Sequence, residues 1–282
     1  MFKLEYNISH KISIKGGKKM LLAVDIGNTN IVVAVFDKDK IVHQWRIATD
    51  TKRTGDEYTS IILTLSREAH VDLHKVSQSI LSSVVPALIG PFVVVTQNLC
   101  GKKPVVIKPE LYNKLPLTLP ATAVHEIGTD LLCNAVEAWN RFKCANIVVD
   151  FGTALSFITT DSKGHIQGVA IAPGLGTAVN SLFSGTAQLP QVPLQAPENA
   201  LGTNTIHSIQ AGIVLGYKGL VESLIQRIKS DLFIASGDKP EDVKVIATGG
   251  LNSVLKPITD VFTCVDKELT LCGLKTIAEY VC

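Results

Sequence analysis

Three aspartates stand where a carboxylate can do chemistry. Asp25 opens the run Asp25-Ile26-Gly27-Asn28-Thr29-Asn30, with Ile31 and Val32 directly after it. Gly27 lets the backbone bend and come close to a ligand. Asn28 and Thr29 offer amide and hydroxyl hydrogen bonds at the same point, and Asp25 can hold a metal ion or a metal-bound water. Such a group can grip the phosphate tail of a nucleotide with a hairpin in place of a helix. Asp150 opens a second copy, Asp150-Phe151-Gly152-Thr153-Ala154. Asp130 follows Gly128-Thr129 and precedes Leu131. It is either a base at the mouth of a site or an acid favoured by the dipole in the first turn of a helix. Either Asp-x-Gly turn alone is equally an ordinary hairpin; their repetition points to a ligand held between Asp25 and Asp150.

The elements that must position these groups follow from apolar periodicity. Residues 21–24 and 31–36 flank the first turn, and residues 146–149 and 155–160 flank the second. Short apolar runs beside a turn read as buried hairpin strands. Each hairpin continues through a polar turn into a third strand, over 41–47 and 165–172, which makes an antiparallel meander. The first half goes on with a helix over 56–69 entered at Thr54-Gly55, a strand over 79–85, a helix from Pro86 and a strand over 105–107. That alternation adds parallel strands to the sheet. Residues 108–124 hold three prolines and read as a loop crossing toward the cleft, and from Gly128 a helix begins with Asp130 in its first turn.

In the second half the pattern predicts a helix over 174–183, a surface loop over 189–201 and a long helix over about 205–230, capped by Thr203 or Asn204. A strand over 244–247 ends at Gly249-Gly250, and a last strand and helix cover 261–265 and 271–281. Gly212, Gly216 and Gly219 lie inside the long helix. Each costs about 1 kcal/mol against alanine there, which points to close backbone packing. The repeat half a chain apart divides the protein into two domains of like fold, 20–141 and 142–282, behind an extension over 1–19.

Composition limits the function. A net charge of +2 gives no reason to expect nucleic acid or an anionic membrane as partner. The best apolar stretch, 84–95, is interrupted by Pro86 and Pro91, so no segment reads as a membrane span. The six cysteines form no C-x-x-C pair and no metal-site spacing with histidine, as expected of reduced thiols in the cytoplasm. Residues 1–19 are basic, but Asp25 arrives too soon for a secretory signal; an extra strand or a loose tail is expected there. A G-x-x-x-x-G-K-[ST] loop, a G-x-G-x-x-G fingerprint and a G-x-S-x-G elbow are all missing from the sequence.

Further motifs stand in order along the chain: Ser82-Ser83-Val84-Val85-Pro86, Gly128-Thr129-Asp130, Ile171-Ala172-Pro173-Gly174, Asn204-Thr205 with Gly212, Ala247-Thr248-Gly249-Gly250 and Leu269-Thr270-Leu271-Cys272-Gly273-Leu274. With the paired Asp-x-Gly hairpins, this set resembles the superfamily of actin, acetate kinase and the sugar kinases, and within it the type III pantothenate kinases. The resemblance implies an α/β fold of two ribonuclease-H-like (actin-like ATPase) domains, each a mixed sheet headed by an Asp-x-Gly hairpin, with flanking helices. It implies ATP-dependent phosphorylation of the primary hydroxyl of pantothenate, the first step of coenzyme A synthesis.

By position, Asp25, Ile26, Gly27, Asn28, Thr29, Asn30, Ile31 and Val32 would then hold the ATP phosphates and Mg2+, and Thr153 would contact ATP. Gly128, Thr129, Asp130, Leu131 and Thr205 would hold pantothenate, with Asp130 as the base. Asp150 would bind a monovalent cation, K+ or NH4+, and the chain would form a homodimer. Two departures concern pantothenate: Leu131 stands where the family has arginine, and the family's upstream tyrosine falls near Ala121. Either another cation, from Lys108, Lys114, His125 or a partner subunit, reaches the pantothenate carboxylate, or that carboxylate faces water and binds less tightly. A non-catalytic ATP-binding regulatory relative and a phosphohydrolase are the competing readings; three aspartates kept together speak for catalysis. For a base acting late in a loose phosphoryl-transfer transition state, a carboxylate of ordinary pKa suffices.

Overall fold

A computed structural model describes residues 20–185, 190, 192–250 and 252–281; the expected strand or tail over 1–19 lies outside them. The first sheet holds β1 (Met20–Ile26), β2 (Asn30–Asp37), β3 (Lys40–Ala48), β4 (Val76–Ser83) and β5 (Val105–Val106), in the order β3-β2-β1-β4-β5. The second holds β6 (Asn146–Phe151), β7 (Ala154–Thr160), β8 (Ile166–Pro173), β9 (Lys244–Thr248) and β10 (Cys264–Val265), in the order β8-β7-β6-β9-β10. The two orders are the same. In each, the central strand pairs antiparallel with the next strand of its hairpin and parallel with the strand that follows a helix. This is the duplicated α/β, ribonuclease-H-like architecture expected from the sequence. Asp25 and Asp150 are each the penultimate residue of a central strand, paired with Val32 and Ser156.

The helices are α1 (Gly55–Glu68), α2 (Pro86–Cys100), α3 (Thr129–Phe142), α4 (Leu175–Ser184), α5 (Thr205–Gln210), α6 (Gly216–Ser236), α7 (Asn252–Leu255) and α8 (Leu269–Val281). Alternate residues of a strand face opposite sides of its sheet, and both sides are buried here. Leu22 and Val24 pack outward with Tyr58 and Ile62 of α1 and Phe92 of α2, while Ile147 and Val149 pack outward with Val221 and Ile225 of α6. Ala23 and Ile80 from the first sheet, and Val148 and Ile246 from the second, face inward onto Leu132 and Val136 of α3 and Leu274 and Ile277 of α8. Burial on both faces is why these strands are unbroken apolar runs. The helix α3 is thus held between the two sheets with its first turn beside the strand ends.

Several expected elements are adjusted. The strand over 79–85 lies at Val76–Ser83, and the expected loop over 108–124 contains a short 3-10 helix, Pro109–Lys114. The strand over 261–265 shrinks to Cys264–Val265 because Thr263 completes the pairing with its side chain: its hydroxyl accepts from Val245 N–H at 3.0 Å. The long helix is capped by Asn204, passes through a π turn at Ala211–Leu215 and continues to Ser236, where Gly237 ends it at φ 80°. Close packing at Gly212, Gly216 and Gly219 is not found; a Cβ at any of them would meet nothing within 4 Å. The glycine that serves packing is Gly273 of α8, whose Cα lies directly on the Cys133 carbonyl of α3.

The two kinds of helix glycine predict opposite signs. Gly273→Ala should force α3 and α8 apart and lose about 1–3 kcal/mol or more of stability. Gly216→Ala should gain about 0.5–1 kcal/mol. Denaturant midpoints of the two variants check this.

Candidate active site

The carboxyl ends of β1 and β4 lie side by side, with Asp25 in register with Ser82. The Ser82 hydroxyl donates to Asp25 Oδ1 at 2.9 Å and shares a second hydrogen bond with Thr129 Oγ1, also at 2.9 Å. Ser83 N–H donates to the same Thr129 oxygen at 3.2 Å. The first residue of α3 is therefore pinned to the end of β4, and the Thr129 hydroxyl is engaged there. Gly128 precedes the helix; a Cβ on it would come 2.5 Å from Asp130 Oδ1. That oxygen accepts from Leu131 N–H at 2.8 Å.

Asp150 is held from the other side. Its Oδ2 accepts from Asn134 Nδ2 at 3.0 Å, and Asn134 Oδ1 accepts from the Thr270 hydroxyl at 2.8 Å. Gly249, at the end of β9, has φ 84°, and a Cβ there would lie 2.6 Å from Asp150 Oδ1 and 2.7 Å from the Phe151 backbone. Only glycine satisfies both the dihedral and the contact.

The two hairpin turns are built alike and meet. Gly27 N–H donates to Asn30 O at 3.0 Å, and Gly152 N–H donates to Ala154 O at 3.1 Å. The Thr49 hydroxyl supports the first turn through Gly27 O at 2.7 Å, and the Thr177 hydroxyl supports the second through Thr153 O at 2.7 Å. Across the gap Thr29 Oγ1 lies 2.8 Å from Thr153 Oγ1. Asn28 and Thr29 are exposed, whereas Ile26 and Ile31 are fully buried, so these two can meet a ligand only through the backbone.

Burial, and then the charge of Asp130, push the Asp25 carboxyl up to about 7, against the hydrogen bond from Ser82. Burial and Asp130 push Asp150 up to about 6, against the Asn134 amide. Burial also raises Asp130, although a carboxylate of ordinary pKa would suffice for the base. Among the described residues no lysine or arginine forms an ion pair with any of the three. Half-buried carboxylates outside any ion pair are a donor set that a metal ion would neutralise. The residues present therefore fit both a divalent ion on the Asp25 side and a monovalent ion at Asp150.

A family model described as type III pantothenate kinase matches residues 21–227. The chain belongs to the type III pantothenate kinase family. It is 39% identical over 260 residues to the type III pantothenate kinase of Geobacter sulfurreducens, covering 92% of this chain and 98% of the relative. It is 39% identical over 265 residues to that of Treponema pallidum strain Nichols, covering 93% and 94%. Among solved structures, a conserved Baf family protein from Campylobacter jejuni superposes with a TM-score of 0.56 at 19% identity over 92% of this chain and 97% of that one. The ethanolamine utilization protein EutJ from Carboxydothermus hydrogenoformans gives 0.50 at 14% identity over 93% and 89%. These two likenesses concern the fold alone.

The fold gathers Asp25, the hairpin residues 26–32, Gly128, Thr129, Asp130, Asp150 and Thr153 around one region. Thr205 stands apart from them, lining an open cavity of about 420 Å3 with Leu182, Ser208, Ile209, Gly212 and Ile213. Leu131 is buried in the central layer, so the side chain in the arginine's place serves the core. Of the expected substitutes for that arginine, Lys108 is exposed and 3.9 Å from Glu110, while Lys114 and His125 are exposed. Sequence reasoning gave no role to Ser82, Asn134 or Thr270, although Ser82 and Thr270 lie in the motifs it singled out, and it read Gly249-Gly250 as a turn that can let a nucleoside approach, not as the neighbour of Asp150. The signal for Asn134 is its place four residues after Asp130, on the same face of α3.

The carboxyls set a pH dependence for the ligand-free chain. Unfolded, Asp25 titrates near 3.8; folded, it titrates near 7. Between those values the native state holds the extra proton, so this group's contribution to stability is greatest near pH 4 and falls as pH rises toward about 7. Asp25→Asn should therefore raise the melting temperature at about pH 8 and leave it nearly unchanged at about pH 4. Thermal melts of both proteins without ligands, across that range, provide the check; an equal difference at both ends would contradict the buried charge.

Proposed function

We propose that the chain transfers the γ-phosphoryl group of ATP to the primary hydroxyl of pantothenate, the first step of coenzyme A synthesis, at the cluster of Asp25, Asp130 and Asp150. The observation that carries this reading is the meeting of two like hairpin tips at Thr29 and Thr153 over a helix start that bears Asp130. The backbone of residues 26–32 and the hydroxyls of Thr29 and Thr153 line the phosphate tail. Asp25 would hold Mg2+ carried with ATP, and Asp150 would hold K+ or NH4+. These cations, when bound, offset the negative charge of the phosphates and of the aspartates. Gly128, Thr129 and Asp130 belong to the pantothenate side; Leu131 would meet it only through its backbone, and Thr205, which lines the separate cavity, is not part of this cluster.

In the reaction the substrate oxygen forms a bond to the γ-phosphorus while the bridge from that phosphorus to the β-phosphate breaks, and ADP leaves with the electron pair. The hydroxyl proton passes to Asp130. Burial raises the affinity of Asp130 for a proton, so it is a stronger acceptor than an exposed aspartate. The Leu131 N–H bond orients its carboxylate, and Ser82 holds Thr129, and with it the helix start, against Asp25. Residues 20–141 and 142–282 form the two halves of the enzyme, and the active assembly is a homodimer. No helix among the described residues is long and apolar enough to cross a membrane. Five described cysteines are free, which fits a reducing cytoplasm.

Asp130→Asn should lower kcat by about 10²–10⁴ and leave ATP affinity nearly intact. ADP release, followed with and without pantothenate, separates the readings. Release that requires pantothenate supports the kinase, release without it indicates hydrolysis, and nucleotide binding with no release indicates a regulatory relative.

A further inference from the structure

Asn134 is fully buried in α3, and both ends of its amide are used: Nδ2 donates to Asp150 Oδ2 and Oδ1 accepts from Thr270 of α8. A carboxylate only accepts, so the nitrogen must face Asp150. The flipped amide would turn oxygen toward the carboxylate, so Asp150 fixes the orientation, and the Thr270 hydroxyl anchors the opposite end. The other Asp150 oxygen, Oδ1, lies beside the bare Cα of Gly249. One carboxylate oxygen is thus tied to α3 and the other is left at the turn.

The same face of α3 continues as a polar stripe through an apolar layer. Asp130, Asn134, Glu137 and Arg141 follow one another at spacings of four, three and four residues. Glu137 accepts from the Thr276 hydroxyl of α8 and from Arg141 Nε, and Arg141 reaches Asp266 just before that helix. Replacing buried polar contacts with well-packed apolar ones often costs no stability. Contacts between α3 and α8 made for adhesion alone need no amide aimed at a carboxylate.

We infer that Asn134, anchored by Thr270, is a positioning residue that holds the Asp150 carboxylate for a monovalent cation. The inference rests on the proposed role of Asp150. It adds that the site is completed by α8 through a partner that touches neither substrate. Hydrogen-bond partners of a ligating carboxylate set its plane and tune affinity, and their loss typically weakens ion binding by about 10–100-fold.

The test uses the full chain without nucleotide. Potassium chloride is titrated at constant ionic strength and read by the shift in melting temperature, with thallium(I) NMR line broadening as a second probe. Asn134→Leu should raise the half-saturating cation concentration by about tenfold or more. Thr270→Val, which keeps the shape and removes only the hydroxyl, should raise it by about threefold, and Thr270→Ser should restore it. In steady state at saturating potassium, KM for MgATP and for pantothenate should stay within about twofold. If Asn134→Leu fails to fold, the Thr270 pair carries the test. Lower melting temperatures with unchanged half-saturation would reduce Asn134 and Thr270 to helix packing and overturn the inference, leaving the Asp150 reading intact. A parent chain that responds to neither cation would overturn the Asp150 reading and this inference together.

Discussion

Three carboxylates kept near one another and half-buried, none in an ion pair among the described residues, are the constraint on which the rest of the molecule depends. Burial and mutual repulsion both oppose their ionisation, as the raised Asp25 and Asp150 carboxyls reflect. Such a cluster persists only where the surrounding structure dictates it. Each member has a dedicated donor: the Ser82 hydroxyl for Asp25, the Leu131 N–H for Asp130 and the Asn134 amide for Asp150. Each donor is fixed by an element that packs elsewhere. The unfavourable charge is thereby held in place, where a bound cation would relieve it.

Duplication explains how two of the three arrive together. Two sheets of the same strand order place an aspartate at the same position of their central strands, and facing the sheets brings the hairpin tips within a hydrogen bond at Thr29 and Thr153. The third carboxylate breaks the symmetry. Asp130 belongs to α3, which shares the layer between the sheets with α8. A helix in that layer touches both halves at once, so its first turn can serve the first hairpin through Thr129 while its second turn serves Asp150 through Asn134. Close approach at Gly273 lets α8 lie near enough for Thr270 to join.

Much of this was legible without coordinates, because it is written locally. The strands of both hairpins, the helix entry at Thr54 and the helix start at Gly128 are set by short-range periodicity and turn chemistry, which act over a few residues. The ordered motifs brought the fold and the family with them. Errors in the sequence reading occurred where an element's limits depend on a neighbour. Thr263 meets Val245 through its N–H and its hydroxyl together, and Gly212, Gly216 and Gly219 lie on an open face of their helix.

The sequence by itself therefore determined the elements, their order and the residue types offered at each strand end. Only the tertiary structure decided which groups meet. Asn134 and Asp150 are 16 residues apart, Ser82 and Asp25 are 57, Thr29 and Thr153 are 124, and Thr270 and Asn134 are 136. It also decided that Leu131 serves the core and that Gly249 must stay bare beside Asp150. The physical reason is one of range. Apolar periodicity declares which face of an element is buried, but a hydrogen bond needs a partner within about 3 Å, and that partner is chosen by how helices and sheets pack.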